Sequence, residues 1–541
     1  MRTRLALAIP LVLAACAKGP AGDAARAPGG TMIIATTGDA DVLFPPVTSV
    51  TNGINVSDLL FCRLAELKLA LNTVDDAGFR PVLARSWEHP DSLTIVFHLD
   101  RRAHWQDGAP VTAADVAFTF GVYRDPAVNS PLAPFLAAID SVTARDSFTV
   151  AFRFRRWYPE QLYDATYHMR VLPRHLLDTI PAARLATAPF ARAPVGDGPY
   201  RFVSWAAGSE IALAADPAWF LGRPGLDRLI WRVTPELATA VSGLLAGEAD
   251  AMEVIPARGQ LERVQQATDV RLVPYPSPFY AAIVFNLRRP PFADRDVRRA
   301  LAMAVDRETV VRSVFGPFAE VAVGATSPMQ WIWSDSISQL PFDTAAAARL
   351  LDQRGWRRGG AGGLRSSHGA PLRFTLLVPT SSQVRQQAAV IVQDELRRLG
   401  VDMRIQPLEF TVMERRTQTG DFDAALISRT IDPSPASLLQ WWSPGAGGNI
   451  GRYADTAFGS LAAAAMRART RAEAAPLWRS ALGRLNDEAP AVFLFSPRNN
   501  AAISTRFRNV TIRPDSWLAT VTEWRVIEAR HIARDRGAPR P

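Results

Sequence analysis

The chain has 541 residues, of which 48% are hydrophobic and 21% charged, a length and balance typical of a globular protein with a large core and more than one lobe. The formal net charge of +9 raises the question of nucleic-acid binding. The basic residues argue against it, because the only lysines are Lys18 and Lys68 and the arginines are spread over the whole length without a basic run. We therefore expect no nucleic-acid partner.

The amino terminus has the pattern of a targeting segment. Arg2 and Arg4 precede an apolar stretch, residues 5–13, which is too short for a permanent membrane helix. The following Leu13-Ala14-Ala15-Cys16 resembles the lipobox of bacterial lipoproteins, in which the cysteine thiol takes the lipid. A plain secretory signal with an incidental cysteine is the alternative. We predict lipid attachment at Cys16 and a flexible Ala/Gly/Pro-rich tether over residues 17–30.

A strand at Thr31–Thr36 and a helix at Val56–Leu64 open the fold. They lead to residues 80–121, where three local signals follow one another. An alternating, β-rich stretch predicts a strand, a turn cluster follows it, and Thr112-x-x-Asp115 has the form of a capping box that starts a helix. This block is therefore predicted to be strand, turn and capped helix.

The remaining chain alternates between strand and helix patterns, which indicates an α/β fold in its second half. The predicted elements, in chain order, are a strand at Ser147–Phe154, helices at Thr239–Leu245, Asp294–Val305 and Asp343–Trp356, a strand at Leu372–Val378, a helix at Gln386–Leu399, and strands at Val401–Gln406 and Ala491–Phe495.

Several longer motifs occur in a fixed order. They are HWQDGAPVTAADVAFTF at 104–120, GDGPYRF at 196–202, FNLRRPPFADRDVRRALAMAVDRE at 285–308 and GDFDAA at 420–425. Single motifs are weak, but the ordered set behind a lipobox is specific. The chain resembles the extracytoplasmic solute-binding proteins of the peptide/nickel class of ABC importers (family 5), and the resemblance covers nearly the whole mature chain.

This resemblance implies a two-lobed α/β periplasmic-binding-protein fold, type II and cluster C-like, with an extra α+β subdomain in lobe I. The implied divisions are a signal peptide at 1–16, the tether at 17–30, lobe I at 31–60, 190–284 and 494–530, its subdomain at 61–189, lobe II at 285–493 and a tail at 531–541.

The same resemblance implies a lipoprotein of the periplasm, anchored in a membrane by its lipid and acting as a monomer. It would deliver oligopeptides or a similar polar solute to the permease and ATPase of an ABC importer. The same scaffold could instead bind a nickel chelate, haem, a sugar or an opine, or act as a sensor.

A secreted hydrolase is a third possibility, but the sequence contains no G-x-S-x-G, H-E-x-x-H or C-x-x-C motif. The seven histidines are scattered, so we expect no catalytic residues, no protein-held metal and no cofactor. Cys62 lies in an apolar run and is expected to be a buried structural thiol.

Many members of the resembled family bind a peptide's α-ammonium with an aspartate, in a pattern like W-x-x-D-Y-x-x-P-x-x-F-L. Aligned on Pro435, that aspartate position holds Ile431 here, and Asp432 comes one residue later. Asp432 is therefore either the amine site or a turn carboxylate before Pro433. Arg429 is a candidate for a ligand carboxylate, or a surface residue.

Aromatic side chains complete the predicted ligand site. Trp441 and Trp442 are adjacent, so that one could line the cleft while the other packs inward, or both could belong to the core. Tyr280 and Phe135 fall where family members have cleft aromatics. Asn52 lies in the early loop that runs near the cleft in the family.

Overall fold

The computed structural model describes residues 29–360 and 362–536. Over these residues the protein has the predicted mixed α/β architecture, organised around one long sheet. The predicted lipid site, Cys16, lies outside the described residues, as do residues 17–28 of the tether and 537–541 of the tail. No helix in the described part of the chain is long and apolar enough to cross a membrane.

The strands are numbered in chain order. They are β1 Thr31–Thr36, β2 Ala65–Leu67, β3 Phe79–Pro81, β4 Ala84–Asp91, β5 Thr94–Leu99, β6 Ile139–Asp146, β7 Thr149–Phe154, β8 Tyr200–Ala206, β9 Glu210–Ala215, β10 Arg228–Val233, β11 Ala251–Met252, β12 Val270–Pro276, β13 Phe279–Phe285, β14 Ala319–Val321, β15 Arg357–Arg358, β16 Arg365–Ser367, β17 Ala370–Pro371, β18 Arg373–Pro379, β19 Asp402–Leu408, β20 Ala424–Thr430, β21 Ala491–Ser504, β22 Phe507–Arg508 and β23 Arg525–Val526.

The helices are numbered in the same way. They are α1 Thr51–Leu60, α2 Ala113–Arg124, α3 Gln161–Thr166, α4 Arg174–Leu177, α5 Leu237–Leu245, α6 Arg258–Gln265, α7 Arg295–Met303, α8 Arg307–Val314, α9 Thr344–Gln353, α10 Gln383–Leu399, α11 Phe410–Thr419, α12 Leu439–Trp442, α13 Thr456–Ala465, α14 Arg471–Glu488 and α15 Ala533–Arg536.

The long sheet joins the two lobes. Its order is β19-β18-β20-β13-β21-β11-β1-β10-β9-β8, and β12 and β14 also pair with β21. Strand β21 pairs with β13 over residues 491–495 and with β12 over residues 498–504, so it runs from one lobe into the other. Strand β12 ends and β13 begins at residues 276–279, and β21 exchanges its partner β13 for β12 at residues 495–498. The predicted divisions at 285 and 493 lie beside these points and remain a prediction.

The capping box predicted at the start of α2 is confirmed. The Asp115 carboxylate accepts the Thr112 backbone N–H at 2.8 Å, and the box is closed by the return bond from the Asp115 backbone to the Thr112 side chain. The strand before it, β5, also lies where the alternation placed it, and its residues are mostly buried. This local block forms as predicted because its signals are contained within a short stretch of chain.

The helix predicted at Val56–Leu64 is wrong, because α1 begins at Thr51 and ends at Leu60. The Leu60 carbonyl accepts the backbone N–H groups of Asp197 and Gly198, at 3.0 and 2.9 Å. A Cβ at Gly196 would overlap that carbonyl, which explains the glycine-rich turn. The chain after Leu60 is extended and leads into β2, with the Cys62 thiol buried as expected.

One apolar core passes through both lobes. It contains Tyr163 and Phe152 from the extra subdomain of lobe I together with Trp331, Ile431 and Trp442 from lobe II. A second core lies on the other face of the lobe II sheet, under α7 and α10. The lobes are therefore in contact, and the residues at their junction are the candidate site.

Candidate functional site

Among the described residues, two hydrogen bonds connect the predicted extra subdomain, residues 61–189, with lobe II. Ser434 of lobe II donates its hydroxyl to Glu160 Oε2 at 2.5 Å. Trp331 of lobe II donates its indole N–H to Thr73 Oγ1 at 3.0 Å, and Thr73 in turn donates to Glu160 Oε1 at 2.5 Å. Glu160 is 5% exposed, and its two carboxylate oxygens thus accept one bond from each lobe.

The loop after β20 presents Asp432 at this junction. Prolines at 433 and 435 restrict the backbone, and Asp432 Oδ1 accepts the Ser434 N–H at 2.9 Å, which makes a local turn. Gln330 donates to the carbonyl oxygens of Asp432 and Ser434, both at 3.0 Å. The loop is therefore held from two sides while the Asp432 carboxylate stays half-buried. Both roles predicted for Asp432 fit this geometry, because the turn uses only one of its oxygens.

Burial dominates the electrostatics of this site. It raises the pKa of Glu160 to about 7, against the hydrogen bonds from Ser434 and Thr73. Burial also raises the pKa of Asp432 to about 8, and the neighbouring charge of Glu160 adds to that rise. The pKa of Asp164 is raised by burial and by both of these carboxylates. We call Glu160, Asp164 and Asp432 the acidic cluster.

An aromatic wall stands beside the acidic cluster. The Phe135 ring stacks on His168 at 4.5 Å, and Tyr163 stacks on Tyr167 at 4.7 Å. His168 meets both tyrosine rings edge-on. Burial lowers the pKa of His168 to about 3, so this ring is neutral in physiological conditions. Phe135 is thus close to the acidic cluster, and it is half-buried.

Tyr280 and Trp442 lie together in the core under the junction. The Trp442 indole donates to Tyr280 Oη at 3.1 Å, and each ring meets Phe493 edge-on at 5.6 Å. Tyr280 is 0% and Trp442 3% exposed. In this arrangement both side chains support β13 and β21 from within, and the ligand contact predicted for them remains a prediction.

Arg429 and Trp441 form a second pair. The Arg429 guanidinium lies 4.2 Å from the centre of the Trp441 ring and donates to the Gly448 carbonyl at 3.0 Å. The Trp441 indole donates to the Thr430 carbonyl at 3.2 Å. Burial lowers the pKa of Arg429. Arg429 is therefore a buried residue and not a surface one, and Trp441 remains partly accessible.

The Asn52 side chain makes its hydrogen bonds to other residues of lobe I. Its side-chain amide donates to Thr36 Oγ1 and to the Gly38 carbonyl, both at 2.7 Å, and so ties the start of α1 to the end of β1. The same helix carries Asn55, whose amide donates at 2.7 Å to Glu253. Asn52 shares no hydrogen bond with the other predicted ligand residues in the described part of the chain.

Four residues at the junction were missed by sequence reasoning, namely Thr73, Glu160, Trp331 and Ser434. Ser434 occupies an unspecified position of the amine-site pattern, the other three lie in no motif that marks a ligand site, and Glu160 and Ser434 are 274 residues apart. Over residues 29–360 and 362–536, no group of three or more His, Cys, Asp or Glu residues has a geometry that could hold a metal ion.

Comparison with known proteins gives a consistent result. The profile described as bacterial extracellular solute-binding proteins, family 5 Middle, matches residues 78–449. The oligopeptide-binding protein AppA of Bacillus subtilis is 24% identical over 504 residues, which cover 92% of this chain and 91% of that protein. Heme-binding protein A of Haemophilus influenzae is 24% identical over 542 residues, covering 94% and 96%.

Solved structures show the same fold. The structure of Bacillus subtilis AppA in complex with a nonapeptide superposes with a TM-score of 0.75 at 23% identity, covering 93% of this chain and 100% of that one. NikZ of Campylobacter jejuni in complex with Ni(L-His) gives a TM-score of 0.75 at 24% identity, covering 92% and 100%. At these identities the likeness establishes the two-lobed fold and leaves the ligand open.

Proposed function

Because the chain belongs to the bacterial extracellular solute-binding proteins of family 5, whose members are non-enzymatic transport components, we propose that it binds oligopeptides or a similar polar solute between its lobes. It delivers this solute to the permease and ATPase of an ABC importer. A solute that contacts both lobes favours their closed arrangement, and that arrangement is what a permease can recognise.

One observation carries this proposal. The junction between the lobes contains a buried carboxylate, Glu160, and a half-buried one, Asp432, and neither pairs with a lysine or arginine of the described residues. Carboxylates in such surroundings are costly unless a positive group approaches them. The free amino group of a peptide is such a group.

The proposal includes the cellular setting. Lipid attachment at Cys16 holds the protein at a membrane of the cell envelope, the tether lets the lobes reach the permease, and the protein acts as a monomer. The support for the anchor is the Leu13-Ala14-Ala15-Cys16 pattern behind a short apolar stretch.

A second candidate is the same scaffold with a solute that is not a peptide, or with a sensory role. It is supported by relatives whose names and structure titles refer to haem and to a nickel–histidine complex. A nickel chelate, haem, a sugar or an opine would each have a distinct mass. Native mass spectrometry of the protein purified under gentle conditions would separate these solutes from peptides.

The Asp432→Asn variant tests recognition of an amino group. A buried ion pair that loses one partner costs more than the pair contributes, so this variant should bind a free-amine peptide roughly tenfold to a thousandfold more weakly. The N-acetylated peptide should lose little from the same change. Isothermal titration of both peptides with both proteins completes the cycle, and Asp421→Asn, at an exposed carboxylate, is the control.

Equal losses for the two peptides, or no loss for either, would contradict a role of Asp432 in amine recognition. Ile431, Trp441 and Trp442 would then point to a more apolar solute.

A further inference from the structure

A half-open cavity of about 180 Å³ lies where the strands pass from one lobe into the other. Its walls come from the end of β12 in lobe I, from the crossing part of β21, and from β14 and the loop after it in lobe II. Most of the lining is formed by Pro274, Pro276, Pro328, Pro497, Glu320 and Arg498. None of the residues of the junction site lines this cavity, so it is a separate feature of the molecule.

The four prolines give the cavity rigid apolar walls. A proline ring has no side-chain rotamers, so it loses no rotamer freedom when a ligand binds and cannot swing round to fill the space beside it. Pro276, Pro328 and Pro497 are half-buried, so part of their apolar surface remains in contact with water. A flat apolar molecule in the cavity removes this surface from water without a cost for ordering the walls.

The size and the polar edge of the cavity restrict what it can hold. Apolar cavities of about 150 Å³ hold one benzene ring, so this one accommodates an aromatic ring with a small polar group. Arg498 Nε donates to Glu320 Oε1 at 2.6 Å, and no hydrogen bond from the described residues reaches Glu320 Oε2. That oxygen is available to an N–H or O–H group on the ring.

The cavity also lies at the hinge between the lobes. In β21, Arg498 pairs with Pro276 of β12, whereas Pro497 and Ser496 pair with Ala319 and Glu320 of β14. The two partner strands belong to different lobes, so a rotation of the lobes about residues 276–279 and 495–498 changes the spacing of the walls. A ligand that touches both walls therefore favours the arrangement with the lobes in contact.

We propose that this space, the hinge cavity, binds one small aromatic molecule with an N–H or O–H donor, and that its occupation holds the lobes in contact. The site itself does not depend on the identity of the solute. Its effect on the solute rests on the proposed function, because a ligand that favours the contacting lobes raises the affinity of any solute that requires them. By reciprocity, that solute raises the affinity of the ligand by the same factor.

Titration with indole, followed by ligand-observed NMR, tests the site. A molecule of this size in a half-open cavity should bind the wild-type protein with a Kd on the order of 1 mM. Pro328 occupies the second position of a turn in which the Gln330 N–H donates to the Ser327 carbonyl at 2.9 Å. Most residues are accepted at this position, and a phenylalanine ring there fills the cavity. Pro328→Phe should therefore bind indole at least about tenfold more weakly.

Pro126→Phe is the matched control. Pro126 is an exposed proline at the same position of a turn in which the Val128 N–H donates to the Asp125 carbonyl at 3.1 Å, and it does not line the hinge cavity. This variant should bind indole like the wild type. A wild-type protein that does not bind indole, or equal binding by Pro328→Phe and the wild type, would overturn the hinge cavity.

Glu320→Ala tests the polar contact without filling the cavity, and it decides the case in which Pro328→Phe does not fold. The compound 1-methylindole lacks the N–H donor of indole. The preference for indole over 1-methylindole should be about threefold to tenfold larger in the wild type than in Glu320→Ala. The same preference in both proteins would overturn the contact with Glu320 and the ligand class inferred from it.

Backbone amide exchange in the loop after β20 reports on the lobes without any solute. The Ile431 N–H donates to the Pro278 carbonyl at 2.8 Å, and the Ser434 N–H donates to Asp432 Oδ1 at 2.9 Å. Indole at about ten times its Kd should slow exchange over residues 431–437 by up to about tenfold in the wild type and in Pro126→Phe, but not in Pro328→Phe. Unchanged exchange in wild-type protein that has bound indole would overturn the effect on the lobes.

Titration with tetra-alanine separates this inference from the proposed function. With indole near saturation, tetra-alanine should bind more tightly, by the same factor by which it tightens the binding of indole. If tetra-alanine does not bind while indole still slows amide exchange, the peptide proposal is wrong and the hinge cavity stands. If tetra-alanine binds equally well with and without indole, the coupling between the two sites is overturned.

Discussion

Glu160 makes the stability of the solute-free protein sensitive to pH in an unusual direction. Burial raises its pKa from an ordinary 4.5 to about 7, so between these pH values the folded state holds a proton that the unfolded chain has lost. A group with a raised carboxyl pKa stabilises the protein in acid, and that contribution is lost as the pH rises from 4.5 through 7. The solute-free protein should therefore be less stable above neutral pH than below it.

The size of this effect follows from the shift. One pKa unit corresponds to about 1.4 kcal/mol, so the full loss is about 3 kcal/mol, most of which falls between about pH 5 and about pH 8. An open arrangement of the lobes that exposed Glu160 to water would relieve its burial. The loss of stability could then not exceed the free energy of opening the lobes. The Glu160→Gln variant carries no charge at either pH, and it should lack this part of the pH dependence.

Urea unfolding of protein freed of solute, at about pH 5 and about pH 8, measures the difference. Over this range Glu160→Gln should lose less stability than the wild type, by up to about 2–3 kcal/mol. Glu88→Gln, at a side chain that is 60% exposed, serves as the control and should behave as the wild type. If the free energies of unfolding of wild type and Glu160→Gln change equally with pH, the buried, proton-holding state of Glu160 is refuted.

Two further predictions concern the core and the anchor. Trp442→Phe removes the N–H that reaches the buried Tyr280 hydroxyl, so urea unfolding should show a loss of about 1–3 kcal/mol. Adding Tyr280→Phe should recover part of that loss, and strictly additive losses would contradict the bond. Cys16→Ser should abolish lipid labelling and shift the protein from the membrane fraction to a soluble or unprocessed form. A variant that is still lipidated would show that Cys16 is not the anchor.

Local signals in the sequence were sufficient for much of the fold. The capping box of Thr112 and Asp115 and the alternation in β5 depend on neighbours in the chain, and both appear as predicted. The end of α1 could not be predicted locally, because the carbonyl of its last residue, Leu60, bonds to a turn more than a hundred residues away. The ordered motifs supplied the two-lobed architecture, which no single element implies.

The candidate site was only partly predictable for the same reason. Asp432 could be found from the loop that carries it, but Glu160 is brought beside it by tertiary folding alone. The mutual burial of Tyr280 and Trp442 depends on a contact across 162 residues. Sequence patterns identified the segment that carries Asp432 but not the segments that carry Thr73, Glu160 and Trp331, because these meet it only when the lobes pack.

The central claim is that the lobes hold one solute with a positive group. Native mass spectrometry of the gently purified protein, before and after incubation with a mixture of free-amine and N-acetylated peptides, tests it most directly. The account predicts one bound solute per chain, retained or replaced by the free-amine peptides in preference to the N-acetylated ones. A spectrum that shows only the bare polypeptide in both samples, or equal capture of both kinds of peptide, would contradict it.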